Sequence, residues 1–277
     1  MKNKKIVYIV IGVLVVLNVF FWRIAFNKED DFLEVTFFDV GQGDSAFMET
    51  SDGFQILIDG GPDLTILEKL GQEMLPQDRT IDLIVLSHPH DDHLFGLLEV
   101  LKRYEVKNIL WSGAEEKTGN YQEWLRLIEE EQANIIIAQP NQEIKINGSR
   151  TGLDLFVYSS DKENSNLNDS SVVMEVRYKD TSFLFTGDIS EKIEKKLDVD
   201  IDVLKVAHHG SKTSSSVGFL EKVSPEVAVI SVGENTYGHP SPETLQNLDN
   251  FGIKTLITKE EGDIKVVSDG NFFKINN

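Results

Sequence analysis

His88-Pro89-His90-Asp91-Asp92-His93 holds three of the chain's six histidines within six residues and sets two carboxylates beside them. Imidazole and carboxylate are the ligands that borderline divalent metals such as zinc prefer. Upstream, Ile81-Asp82-Leu83-Ile84-Val85-Leu86 is rich in branched apolar side chains and reads as a buried strand. Downstream, the run from Leu94 to Leu101 reads as the start of a helix. The motif, of the form H-x-H-x-D-H, is therefore expected on a strand-end loop with four side chains able to hold a metal. The competing reading is a polar turn that merely contains histidines. The remainder of the chain argues against it by supplying further partners.

Those partners stand at other strand ends. Strands are expected at Glu34–Asp39, Ala46–Thr50, Phe54–Asp59, Val106–Trp111, Asn134–Ala138, Ile144–Ile146, Leu153–Ser159, Val172–Tyr178, Ser182–Phe185, Val203–Ala207, Val227–Val232 and three places beyond Lys254. Helical spacing marks Ile66–Met74, Tyr121–Glu130, Glu191–Leu197, Val217–Val223 and Pro242–Asn250. Asp39, Asp59, the 88–93 cluster, Asp188 and the pair His208-His209 all fall where such strands end. In α/β folds ligand sites gather beyond the carboxyl ends of strands. One Asp-Gly is commonly a turn, as Asp52-Gly53 reads here; five chemically equipped strand ends point to one shared site.

The chain has 277 residues and no cysteine, so any metal is held by nitrogen and oxygen. Residues 6–22 form an uncharged apolar run, which reaches bilayer-spanning length when counted through Phe26. Lys2, Lys4 and Lys5 precede it, and Glu29, Asp30 and Asp31 follow. The excess of lysine on the near side predicts a cytoplasmic N-terminus and an extracellular domain. The expected organisation is a basic stub and transmembrane anchor at 1–26, a linker at 27–32 and one domain at 33–277. A cleaved signal peptide is the alternative, but Phe20–Asn27 offers no convincing pair of the small residues a cleavage site needs. Residues 1–30 carry five basic and two acidic side chains, so the rest carries −22 of the total −19. A surface this acidic disfavours tight, non-specific nucleic-acid binding.

Six segments together resemble the metallo-β-lactamase fold superfamily, and within it the extracellular hydrolase domain of the ComEC-type competence proteins for DNA uptake. They are Phe38-Asp39-Val40-Gly41-Gln42-Gly43-Asp44-Ser45, Ile56–Gly61, Leu86–His93, Phe183–Asp188, Leu204–Ser211 and Tyr237-Gly238-His239-Pro240. The resemblance implies a four-layer αββα sandwich with two divalent metal ions, zinc or manganese, at a sheet edge. It assigns His88 and His90 to the first metal, Asp92 and His93 to the second, Asp188 between the two, and one of His208 and His209 to closing the second site. Asp59, with Asp39 beside it in role, would hold ligand histidines from behind. A further histidine expected for the first metal is missing, since residues 94–187 contain none. Asn168, Asp169 and Ser171 are the nearest polar candidates; one of the 208/209 pair, or an open position, would complete that site. The implied chemistry is hydrolysis by a metal-activated water, with Asp92 orienting the nucleophile and His239, or the spare histidine of the pair, protonating the leaving group.

The substrate expected from the resemblance is a phosphodiester, either DNA or a choline-phosphate polymer of the cell wall. Asn168, Ser211, Lys212 and Lys205 are the candidates for holding its phosphate. Two alternatives stand beside it: hydrolysis of another ester, lactone or β-lactam on the same fold, and a non-catalytic binding protein.

Overall fold

The structure is a computed structural model that describes residue 8 and residues 10–19, 31–145 and 152–276. It divides into two units, Met1–Asp31 and Phe32–Asn277. In the first, residues 10–19 are helical with exposed side chains. Among the described residues no helix is long and apolar enough to cross a membrane. Residues 6, 7, 9 and 20–26 of the expected span lie outside the described residues.

Among the described residues the second unit is built on two sheets. One has eight strands: β1 (Leu33–Phe37), β2 (Ala46–Thr50), β3 (Gln55–Ile58), β5 (Leu83–Leu86), β7 (Asn108–Trp111), β8 (Asn134–Ile137), β16 (Ile264–Ser268) and β17 (Phe273–Asn276), in the order β17-β16-β1-β2-β3-β5-β7-β8. The other has seven: β9 (Gln142–Ile144), β10 (Leu153–Ser159), β11 (Val173–Tyr178), β12 (Thr181–Phe185), β13 (Val203–Lys205), β14 (Val227–Ile230) and β15 (Lys254–Ile257), in the order β15-β14-β13-β12-β11-β10-β9. Each sheet is parallel in one half, at β3-β5-β7-β8 and β12-β13-β14-β15, and antiparallel in the other. The short pair β4 (Thr80–Ile81) and β6 (Glu105–Val106) stands apart.

Three apolar cores define the layers. Alternate residues of the two sheets, such as Phe37, Met48, Val85, Met174, Phe185 and Val229, meet between them. The outer face of the larger sheet is covered by α1 (Thr65–Glu73), α2 (Asp91–Leu101) and α3 (Gly119–Glu130), through residues such as Ile66, Leu97 and Trp124. The outer face of the smaller sheet is covered through Ile193, Phe219, Leu220 and Leu248 of α4 (Glu191–Glu194), α5 (Val217–Val223) and α6 (Pro242–Asn250). A last turn, α7, spans Thr258–Glu261. This is the expected αββα order. It explains why Leu83–Leu86 is buried on both faces and apolar throughout rather than alternating.

Two departures bear on the site. The expected strand at 81–86 is broken at Asp82, whose carboxylate accepts hydrogen bonds from Gln55 N (2.9 Å) and Lys107 Nζ (2.7 Å). The expected helix at Leu94 begins earlier, at Asp91. Acidic residues suit the first helical turn, where the unpaired amides carry partial positive charge. Asp92 and His93 therefore ride on a helix rather than on a loop.

Candidate metal centre

The cluster forms where the parallel strands of both sheets end. Asp59 follows β3, His88 and His90 follow β5, Asp188 follows β12, and His208 and His209 follow β13. Asp188 stands between the imidazoles. Its carboxylate lies 3.9 Å from His88 Nε2, 3.4 Å from His93 Nε2, 3.7 Å from His209 Nε2 and 3.9 Å from His208 Nε2. His90 Nδ1 is 3.0 Å from His88 Nε2. Asp92 reaches His93 Nε2 at 3.9 Å and His209 Nε2 at 3.3 Å.

The hydrogen bonds behind the rings fix which nitrogen faces inward. Ser87 donates from its N and Oγ to the two oxygens of Asp59, both at 2.7 Å. Ser171 Oγ donates to Asn168 O at 2.7 Å. With those hydroxyl protons used, His88 Nδ1, 3.1 Å from Ser87 Oγ and 3.3 Å from Ser171 Oγ, is the donor. Its Nε2 lone pair is left facing the cluster. Nδ1–H of His93 donates to Asp59 Oδ2 at 2.9 Å, and Nδ1–H of His209 to Ser231 O at 3.0 Å, a carbonyl that can only accept. Again Nε2 is left inward. A carboxylate or carbonyl behind a ligand histidine fixes its tautomer and raises its basicity.

Sequence reading missed Asp44 and the role of Lys205. Asp44 is buried beneath the centre, with Oδ1 3.2 Å from His209 Nδ1 and Oδ2 accepting from Lys205 Nζ at 2.6 Å. Lys205 also donates to Val206 O at 3.0 Å and is 4% exposed. It is thus not the surface cation expected for a substrate phosphate. The buried hydroxyl of Ser211 lies 3.0 Å from Thr213 Oγ1 and accepts from Thr213 N. Lys212 is exposed and lines a separate polar cavity with Glu191, Thr213 and Glu243. Asp39 does not join the cluster; its carboxylate accepts from Gly41 N at 3.2 Å within its own turn. Asn168 does join, with Nδ2 3.4 Å from His208 Nε2. His239 packs edge-on against His208, ring centroids 5.5 Å apart.

The donor set fits a divalent cation. His93 Nε2 and Asp188 Oδ1 are buried and find no hydrogen-bond partner among the described residues, although they face each other at an ion-pair distance of 3.4 Å. Such orphans are costly unless something satisfies them. Burial opposes charge on His93, yet Asp188, Asp59 and Asp92 outweigh it and raise its pKa well above the ordinary value. His209, likewise opposed by burial, is pushed up to about 10 by Asp188 and Asp44. Burial holds His88 well below the usual imidazole range, with His93 adding to it. The carboxylates thus concentrate negative charge that protons answer in the bare protein, and a metal ion answers the same charge. Three-donor groups lie within one ion's reach at His88, His93 and Asp188, and at Asp92, His93 and His209.

A family model for the metallo-beta-lactamase superfamily matches residues 38–234. The chain belongs to that superfamily. It is 28% identical over 256 residues to ComE operon protein 3 of Bacillus subtilis, covering 84% of this chain and 32% of that protein. It is 30% identical over 245 residues to competence protein ComA of Neisseria gonorrhoeae, covering 82% and 31%. The chain spans about a third of the length of these relatives. Among solved structures, the metallo-beta-lactamase fold protein YhfI of Bacillus subtilis superposes with a TM-score of 0.62 at 14% identity, over 86% of this chain and 100% of that one. At that identity the likeness is one of fold.

Proposed function

We propose that this superfamily member is a metal-dependent hydrolase of phosphodiesters, anchored by its N-terminal segment with the hydrolase domain outside the cell. The observation that carries the hydrolase reading is the inward convergence of His88 Nε2, His93 Nε2, His209 Nε2 and the Asp188 carboxylate, with two of those atoms orphaned. His88 and His90 would hold one ion, Asp92, His93 and His209 the other, and Asp188 both. Bound there, divalent ions supply Lewis acidity and a water acidic enough to ionise near neutral pH. Asp92 is half-buried and lies against His209 Nε2, so its carboxylate is available to orient a nucleophile. His208 and His239 form the more exposed edge of the cluster and are the imidazoles able to pass a proton to a leaving oxygen.

The phosphodiester reading draws on the competence-protein relatives, and DNA or a choline-phosphate polymer are the substrates it names. The test is a screen of the purified chain, loaded with zinc or manganese, against single-stranded DNA, small phosphodiesters and nitrocefin. Metal-dependent diester cleavage with little β-lactam turnover is expected. Rapid nitrocefin turnover without diester cleavage, with either metal, would favour the alternative of another ester, lactone or β-lactam. Anchoring rests on the apolar run 6–22 between lysines and acidic residues. Protease added to intact cells should digest the domain; protection until lysis would refute the location.

A further inference from the structure

The exposed edge of the cluster continues outward as a ladder of rings. His208 lies 6.2 Å from His209, His239 5.5 Å from His208, and Tyr237 5.8 Å from His239, tilted by 33°. Tyr237 is 75% exposed. An exposed tyrosine is unremarkable on a mobile loop, but this loop is tied down. Asn235 Oδ1 accepts from the backbone N–H groups of Tyr237, Gly238 and His239 at 3.1, 3.0 and 3.1 Å. Asn235 Nδ2 donates to Gly233 O and His239 O at 3.0 and 2.8 Å. Gly238, at φ +80°, permits the turn. At one base, Gly233 lies so close to Gly41 and Gln42 that a Cβ would fall 2.4 Å from Gly41 C. At the other, Ser241 N donates to Gly210 O, one residue from the histidine pair, at 2.8 Å. The backbone that carries the ring is therefore held beside the cluster, so little loop entropy is lost when something packs on it.

We propose that Tyr237, backed by His239, is a stacking face for the base of a nucleotide whose phosphate lies at the metal centre; this deepens the phosphodiesterase reading and rests on it. The distribution of charge favours a ring as the recognition device. Residues 31–277 carry −22, Lys205 is buried against Asp44, and Lys212 lines another cavity with Glu191 and Glu243. With Lys205 buried and Lys212 lining another cavity, affinity beyond what the centre gives the phosphate draws on other contacts, and base–aromatic stacking is one.

Calorimetry on the metal-loaded full chain decides the matter, with thymidine monophosphate and inorganic phosphate as probes. The nucleotide should bind more tightly than phosphate. Tyr237→Ala should weaken nucleotide binding by roughly tenfold, within the range of one lost stacking contact, and leave phosphate binding and metal content unchanged. Tyr237→Phe should behave as wild type. On a single-stranded oligonucleotide, Tyr237→Ala should raise KM while sparing kcat. Equal weakening of both probes, or wild-type binding of the nucleotide no tighter than phosphate, overturns the stacking face. If the nucleotide probes behave as stated while no phosphodiester is cleaved, the stacking face stands and the phosphodiesterase reading falls.

Discussion

Ser87 shows how closely single atoms set this centre. Its hydroxyl lies 2.7 Å from Asp59, 3.1 Å from His88 and 3.4 Å from His93, so one buried oxygen ties together two inward-facing rings and the carboxylate behind them. Asp59→Asn keeps the size of that group but replaces the anion behind His93. Loss of such a partner typically lowers metal affinity by about 10- to 100-fold, and chelator competition on the purified variant measures it. Beneath the rings, the Asp44–Lys205 pair is a different kind of device. Removing one partner of a buried ion pair costs about 3–5 kcal/mol. Lys205→Met should lower stability by that order in chemical denaturation; a change under about 1 kcal/mol, the scale of an exposed pair, would show the pair to be solvated. Asp59, Asp188 and the histidines were legible in the sequence because each sits beside glycine or in a cluster at a strand end. Asp44–Lys205 was not. Its members are 161 residues apart, and lysine as a residue type signals surface.

At the scale of elements, the helix that carries Asp92 and His93 is locked to the strand end that carries Asp59. Gly60 N donates to His93 O at 2.7 Å and Gly96 N to Gly61 O at 3.0 Å. A Cβ on Gly96 would fall 1.9 Å from Gly60 O. Gly96→Ala should force α2 away, costing about 1–3 kcal/mol or more as overpacking does. It should also lower bound metal per chain by mass spectrometry, because two expected ligands ride on the displaced turn. Helix α4 offers a test in pH. Its Glu194 is buried and accepts bonds from Ser215 N, Ser216 N and Ser216 Oγ. Burial nonetheless outweighs those bonds and raises its pKa. A carboxyl with a raised folded pKa favours the native state below its unfolded value, and that share is lost as pH rises through the folded value. Thermal melts from about pH 4 to 8, around and above the ordinary glutamate range, should show wild type losing stability relative to Glu194→Gln as pH rises. A difference independent of pH would contradict this. Strand and helix positions were mostly legible from apolar patterning. The break at Asp82 and the early start of α2 were not, because both depend on what a carboxylate meets in three dimensions.

Across the whole molecule, the two sheets bring their parallel halves to one edge, so four strand-end segments far apart in the chain deliver donors to one place. That convergence is a property of topology, and it was legible only through the recurrence of polar residues at strand ends. Charge is distributed on a different plan. The centre concentrates negative charge through its carboxylates, while residues 31–277 as a whole, at −22, repel a polyanion. For a basic nuclease, each phosphate neutralised by lysine or arginine releases counterions, and six to ten such contacts lose about 10³–10⁵ in affinity between 50 and 200 mM salt. Here Lys205 is buried and Lys212 lines another cavity, and the long-range field is unfavourable. Raising salt screens that repulsion as well as any local attraction, with a Debye length near 10 Å at 0.1 M. Binding of a single-stranded oligonucleotide, measured by fluorescence anisotropy at fixed metal concentration between about 50 and 200 mM salt, should therefore change by less than about tenfold, and weak strengthening is compatible with the same physics. A steep loss over that range would mean that a basic surface carries the substrate after all, and would move attention from the metal centre and its aromatic edge to lysines elsewhere on the domain.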